Sequence, residues 1–378
     1  MKKIAIIGAN YFQEPLIKKA KEMGFETHVF AWKDGAVGEK TADYFYPISI
    51  IEKEKILDEC RKIKPDAITT IASDLATITV NYVANKLNLP SNSLECTSIS
   101  TNKFKMREAF KANKIPTPNF LITDNTSPSI SKLHFPIIIK PTDRSGSRGI
   151  TKLYDDKNLK SAISNAINNS FEKKAIIEEY IDGNEYSCEC ISFKGQHHFL
   201  TITKKFTTGS PHFIETGHMQ PCDLSNDVQK KVKNTIFKAL DTLKITNGAS
   251  HSEFKITPEG NIRIIEIGAR MGGDCIGSDL VQLSTGYDFL KMVIDTACGK
   301  YPDFNKTLEP KISIIRFIFN KMDLELLDKI KKHNPNSIYF ISEIEDINSR
   351  QVTDSSSRFG YFILTCANPK EAKEVMDL

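Results

Sequence analysis

The sequence predicts an α/β protein built from more than one packed unit, and three observations carry that expectation. Short apolar runs at residues 4–7, 27–31 and 67–71 alternate with amphipathic stretches at 15–23, 51–63 and 75–87; a βαβα alternation of this kind implies a parallel sheet with helices on both faces. From about residue 185 to 206 the pattern becomes that of antiparallel strands, and an amphipathic helix follows over 227–243. The chain's 378 residues also exceed what one ordinary core holds.

The opening stretch MKKIAIIGAN has two lysines and a short apolar run, but Gly8-Ala9-Asn10 interrupts it well short of a signal-peptide core. It is expected to be the first strand of a cytoplasmic protein. The turn after it, Gly8-Ala9-Asn10-Tyr11-Phe12, is not G-x-G-x-x-G, which disfavours a nicotinamide enzyme. A boundary is expected at 88–93. A helix starts at Thr101 with Lys103, Lys105 and Arg107, and Ile115-Pro116-Thr117-Pro118 ends it. Residues 135–141 form an apolar strand, a basic glycine-containing loop covers 142–149, a helix spans about 159–168 and a second apolar strand 175–181. Strands at 312–319 and 359–365 then flank a helix at 324–331.

Composition narrows the function classes. Hydrophobic content of 40% and charged content of 26% are those of a globular protein, and no apolar run approaches the ~20 residues of a membrane helix. The 51 basic and 47 acidic residues are dispersed, without the basic stripe of a nucleic-acid binder. The eight cysteines are scattered, with no pair or cluster at zinc spacing, and are expected to be reduced.

The stretch HSEFKITPEGNIRIIEIGAR, 251–270, sets Glu253 and Glu266 into otherwise apolar strands. A hairpin closed by a two-residue Glu259-Gly260 loop places them directly opposite one another, whereas an odd shift puts them on opposite faces. Opposed carboxylates repel unless a cation lies between them. Oxygen ligands favour Mg²⁺ or Mn²⁺, with phosphate and water completing the shell. The competing reading is a charged surface face on which the glutamates pair with Lys255 and Arg263. Arg270 and the turn-rich 271–274 loop favour the first reading, because a guanidinium there could reach an oxyanion.

Lys140, at a strand end before a Gly/Ser loop, is a phosphate candidate, although the loop is not a Walker motif and Arg144 and Arg148 read equally as solvated turn residues. The strand 175–181 breaks into a polar bend, Asp182-Gly183-Asn184-Glu185, which offers main-chain groups to a base edge and a carboxylate to a ribose. An ordinary strand and turn explains the same residues.

Taken in order, these pieces resemble the ATP-grasp superfamily, in particular its branch with carbamoyl-phosphate synthetase, biotin carboxylase and amino-acid ligases. The matching elements are an α/β unit with Ser73-Asp74, the helix opening Thr101-Asn102-Lys103, the strand with Lys140 and its glycine loop, the bend from Glu178 to Glu185, and Glu253 with Glu266 and Arg270. The resemblance implies an α+β ATP-grasp fold. Its parts would be a Rossmann-like domain over 1–100, a nucleotide-binding domain over 101–310 with a mobile lid at about 120–177, and a C-terminal lobe over 311–378. It implies ATP and Mg²⁺ or Mn²⁺. Lys103 and Lys140 would contact phosphates, and the loop with Ser145, Gly146, Ser147 and Gly149 would fold over them. Glu178, Glu179, Tyr180 and Ile181 would hold adenine through backbone groups, Glu185 the ribose, Glu253 and Glu266 the metal, and Arg270 the transferring phosphoryl group or acyl phosphate. One departure is Gly268, where the family often has Asn.

The family chemistry is attack of a carboxylate on the terminal phosphate of ATP, then attack of an amine on the acyl phosphate, which needs positioning and neutralisation and no Ser or Cys nucleophile. The resemblance therefore points to an amide-forming ligase of a small carboxylic acid and a small amine, with an amino acid on one side. It also allows a homodimer, and it gives no role to nucleic acid or membrane. The polar stretch 204–218, too mixed for a plain hairpin, resembles the substrate loop of dipeptide-type ligases, with Glu215 and His218 as amine-side contacts or a base. A surface loop with a satisfied histidine is the alternative there. At the level of the whole chain, the alternatives are a carboxylase or purine-pathway ligase and a nucleotide-binding module without turnover.

Overall fold

Three sheets organise the chain in the computed structural model, which describes residues 1–144, 146, 148–210 and 213–377. The first is parallel: β1 (Lys2–Ile7), β2 (Phe25–Phe30), β3 (Tyr44–Tyr46) and β4 (Ala67–Thr69) lie in the order β3-β2-β1-β4. Alternation along β1 feeds two cores. Ile4 and Ile6 pack with Leu16 and Ile17 of the Glu14–Glu22 helix, and Ala5 and Ile7 pack with Ile56 and Leu57 of the Lys53–Ile63 helix. This is the two-faced α/β layer that the sequence pattern predicts. The Asp74–Leu87 helix follows β4, capped by the Ser73 hydroxyl, which accepts from the Ala76 N–H.

The helix expected from Thr101 begins at Lys103, because the Asn102 side chain accepts the Lys105 N–H and caps it there. The second sheet is antiparallel: β5 (Phe120–Thr123), β6 (Ile137–Pro141), β7 (Thr151–Leu153) and β8 (Ala175–Glu179) in the order β5-β8-β6-β7. The third has eight strands: β9 (Asn184–Phe193), β10 (Gln196–Thr207), β11 (Glu215–Gln220), β12 (Gly248–Ile256), β13 (Ile262–Gly268), β14 (Ile312–Phe317), β15 (Ile338–Ile341) and β16 (Tyr361–Cys366). Their order is β13-β12-β9-β10-β11-β14-β16-β15, so the C-terminal strands continue the same sheet.

Two local expectations are corrected. Much of the stretch 204–218, read as a polar loop, belongs to a hairpin in which β10 and β11 pair Lys205 with His218 and Phe206 with Gly217. Its polar side chains are tolerated in strands because they find charged partners on neighbouring strands. The β12–β13 connection is also longer than a two-residue Glu259-Gly260 loop, since the Thr257 N–H bonds Asn261 O at 2.9 Å and Ile256 pairs with Ile262. That odd shift alone would separate the glutamates. A bulge between Glu253 and Phe254 cancels it, and Glu253 stands opposite Glu266.

Candidate active site

The cleft lies between the second and third sheets and encloses about 1150 Å³, open solvent included. Period-2 alternation explains how a sheet can present charge there. On β12, Phe254 points into the apolar core with Cys188, Ile264 and Ile267, while His251, Glu253 and Lys255 occupy the other face and line the cleft. Cross-strand neighbours on β9 continue that polar face, with His251 opposite Glu189 and Lys255 opposite Glu185.

Each opposed glutamate is held by a lysine from another element, not by Lys255 or Arg263. Lys205 Nζ lies 2.6 Å from Glu253, 3.2 Å from Glu185 and 3.7 Å from Glu215. Lys103 Nζ lies 2.7 Å from Glu266 and also donates to Arg144 O. Burial works against charge on Glu253, but Lys205 and then His251 prevail and hold it well below the usual carboxylate range. Burial likewise opposes the Lys205 ammonium, and the three carboxylates outweigh it and raise its pKa well above the ordinary value. Behind Glu253, His251 Nδ1 is 2.7 Å from the fully buried Glu189. Burial acts to lower the His251 pKa, yet Glu189 and Glu253 bring it up to about 9.

At the other end of the cleft Lys140, on β6, reaches Glu178 on neighbouring β8 at 2.6 Å. Arg107, fully buried, donates Nε to the other oxygen of Glu178 and Nη2 to Ile265 O, the carbonyl freed by the hairpin bulge. Burial opposes the charged Glu178, but Arg107 and Lys140 bring its pKa down to about 2. Burial, the largest influence on Lys140, leaves its pKa below the ordinary value even with Glu178 beside it. From the sequence, Arg107 stands out only as a helix residue and Glu178 only for its backbone. The available signal was the four-residue spacing of Lys103 and Arg107, which sets both on one helix face.

The remaining candidates fall as follows. Glu185, Tyr180, Ile181, Glu215, Gly146 and Arg270 line the cleft. Lys152 Nζ sits 3.3 Å from the Tyr180 ring centroid and Lys255 Nζ 4.7 Å from it. The N–H groups of Glu179 and Tyr180 are already donated to Asn119 O and Pro136 O, and the Glu179 carboxylate accepts from Asn119 and contacts His134. Gly149 is not among the lining residues, and Ser145 and Ser147 lie outside the described residues. Glu215 accepts from Ser355 Oγ at 2.8 Å, while Arg358 grips Asp274 through two nitrogens and stacks on Phe317. His218 does not line the cleft. It is 1% exposed, and its Nε2 stands 3.5 Å from Asp274 without a hydrogen bond. Arg270 donates Nε and Nη2 to the two oxygens of Asp74 at 2.9 and 3.1 Å.

Comparison with known proteins agrees with this architecture. The model of the ATP-grasp domain matches residues 133–279, the part of the chain that holds most of the second sheet and most of the cleft-lining residues. It is 26% identical over 315 residues to the alanine–anticapsin ligase of Bacillus subtilis, a match covering 73% of this chain and 66% of that one, just under two thirds of the relative's length. It is 22% identical over 317 residues to the phosphoribosylamine–glycine ligase of Lactococcus lactis, covering 79% and 76% of the two chains. The structure of an L-amino acid ligase from Bacillus licheniformis superposes with a TM-score of 0.82 at 22% identity, covering 100% of this chain and 97% of that one. No helix among the described residues is long and apolar enough to cross a membrane.

Proposed function

We propose that this chain is an ATP-dependent carboxylate–amine ligase that joins two small molecules through an amide bond, with an amino acid on one side, and releases ADP and phosphate. One observation carries the reading. Among the described residues lining the cleft none is Ser, Thr or Cys, while seven are Lys or Arg, one is His251 and seven are acidic. Such a lining is rich in electrostatic positioning and, among its described residues, has no hydroxyl or thiol of Ser, Thr or Cys, which suits phosphoryl transfer from ATP to a carboxylate.

The donor set fits a Mg²⁺ or Mn²⁺ ion. Two opposed carboxylates of depressed or lysine-held charge supply two oxygens, and no group of three or more acidic, His or Cys side chains among the described residues is arranged to hold an ion alone. That suits an ion completed by phosphate oxygens and water. Such an ion would neutralise phosphate charge during transfer. Lys103 and Lys140 would bind phosphates, Lys140 paired with Glu178, which Arg107 holds in place from behind. With the N–H groups of Glu179 and Tyr180 spent, main-chain donation to adenine would fall to Ile181, and Glu185 would take the ribose. The glycine loop 145–149, within a lid at about 120–177, would cover the phosphates and exclude water. Arg270 would face the acyl phosphate and Glu215 the incoming ammonium group. His218, buried beside Asp274, would support that wall without touching the amine. All eight cysteines are free, which supports a cytoplasmic setting.

The test incubates the purified protein with ATP, Mg²⁺ and paired amino acids and small acids, following ADP and product mass. ADP, phosphate and a condensed product are expected, and Glu266→Gln should remove turnover while leaving the circular dichroism spectrum unchanged. Substrate-dependent AMP and pyrophosphate would refute the acyl-phosphate route. Activity confined to bicarbonate, formate or an aminoimidazole nucleotide as substrates would assign the chain to a carboxylase or purine-type ligase.

A further inference from the structure

We infer that Asp74 is the positioning residue for Arg270, and that Gly268 is a glycine because the Asp74–Arg270 pair fills the space its side chain would need. The inference rests on the proposed placement of Arg270 at the phosphoryl-transfer end of the cleft. It makes the N-terminal sheet unit part of the active site.

The pair is a two-pronged one, both carboxylate oxygens accepting from one edge of the guanidinium at 2.9 and 3.1 Å. That geometry fixes the plane of the arginine as well as its charge, which a single contact does not. The third nitrogen, Nη1, donates to Met271 O at 3.3 Å. Burial opposes ionisation of Asp74, but Arg270 outweighs it and holds the carboxyl below its usual pKa, with smaller help from Lys103 and His251. Asp74 is therefore an acceptor for Arg270 throughout the neutral range.

The chain is shaped to deliver Asp74 to this spot. Asp74 is the first residue of the helix capped by Ser73, and the connection from β4 turns at Ala72, which has φ +59°, a left-handed conformation costly for a residue with a Cβ. The Ala72 N–H is bonded to Met271 O at 3.2 Å and Gln13 Nε2 donates to Ile71 O at 2.8 Å. The N-terminal unit is thus fastened to the residue next to Arg270 by main chain as well as by the ion pair. A Cβ at position 268 would stand 3.1 Å from Arg270 Cζ, 3.1 Å from Asp74 Oδ1 and 3.2 Å from Arg270 Nε. Those distances are tighter than ordinary contact, and every further atom of a larger side chain would enter the volume of the pair.

The experiment reads binding, not turnover. Calorimetry measures MgADP alone and MgADP with aluminium fluoride, a stand-in for the transferring phosphoryl group, on wild type, Asp74→Asn, Asp74→Glu, Gly268→Ala, Arg270→Met and the Asp74→Asn/Gly268→Ala double variant. MgADP affinity is expected to stay within about twofold in all of them. The fluoride-dependent gain in affinity should fall roughly tenfold to a hundredfold in Asp74→Asn, in the range of losses when a supporting partner is removed. Asp74→Glu should recover part of it, and the double variant should be no worse than Asp74→Asn alone. An undiminished gain in Asp74→Asn beside its loss in Arg270→Met overturns the positioning role. Equal loss of MgADP and fluoride binding, with a lower thermal midpoint, makes Asp74 merely structural and overturns it too. Additive losses in the double variant overturn the account of Gly268. Wild type that binds no MgADP refutes the ligase reading itself, and the inference with it.

Discussion

Replacing Glu178 by Gln keeps the shape of the side chain and removes the charge between two buried cations. Arg107 is fully buried and Lys140 is 5% exposed, so neither can turn to water for compensation. The carboxyl falls from an ordinary pKa of 4.5 to about 2 on folding. That gap corresponds to roughly 3 kcal/mol of stability, within the range of about 3–5 kcal/mol for removing one partner of a buried ion pair. Its sign follows from the direction. The folded pKa is depressed, so the contribution is fully present above about pH 4.5 and is lost as pH drops towards 2, with part of it already gone by pH 4. For a chain of 378 residues unfolding together, the deficit lowers the thermal midpoint by about 4–6 °C. Differential scanning fluorimetry of wild type and Glu178→Gln at pH 7 and pH 4 checks both size and sign, since the gap must narrow at the lower pH. MgADP calorimetry on the same samples checks the functional half. Lys140, already depressed by burial and then facing Arg107 and Lys103 with only the weaker influence of Glu266 to offset them, gives up its proton more easily, and nucleotide affinity should fall at least about tenfold. A midpoint within a degree of wild type at pH 7, or a gap that widens at pH 4, would refute the reasoning.

Gly183→Ala, in the bend between β8 and β9, should cost about 1–3 kcal/mol, because φ is +127° and a Cβ would stand 2.1 Å from Ile256 O; urea unfolding measures it, and a neutral result would mean the bend relaxes freely. Arg358→Met leaves the Asp274 carboxylate without its two-pronged partner and frees the main chain of Glu215. We expect the amine KM to rise more than the ATP KM in steady-state kinetics, and an equal rise in both would remove the C-terminal segment from the amine side.

What could be read from the sequence was local. The βαβα layer follows from alternation over a few residues, and the opposition of Glu253 and Glu266 follows from a hairpin within one stretch. Even there the correct pairing arose from two departures that cancel, a longer loop and a bulge, and nothing in the residue pattern announced the bulge. The partners that make the site work lie far apart in sequence: Arg107 and Glu178 by 71 residues, Glu215 and Ser355 by 140, Asp74 and Arg270 by 196. No periodicity encodes such contacts, because they depend on how separate sheets pack. The stretch 204–218 was misread for the same reason, since its charges look loop-like until Lys205 is seen among carboxylates of β9, β11 and β12.

Those pairings answer a problem any polyanion-binding cleft has. The chain must fold and persist before the ligand arrives, and a cleft with uncompensated buried charge of one sign would oppose its own folding. Here, among the described residues, the acids lining the cleft nearly match the bases in number, and the charges proposed for ligand binding are held in pairs: Lys103 with Glu266, Lys205 with Glu253, Lys140 with Glu178, Arg270 with Asp74. On the proposed reading the first two pairs would change partners on binding: Glu253 and Glu266 would turn from Lys205 and Lys103 to hold the metal, and Lys103 would then be free for a phosphate. The last two pairs have no such exchange to make, because Glu178 and Asp74 stand behind their cations as fixed supports. The division separates residues that change partners on binding from residues that hold the geometry. It explains why neutralising Glu178 should weaken nucleotide binding, and neutralising Asp74 the fluoride-dependent gain alone, although neither is assigned a direct contact with the phosphates.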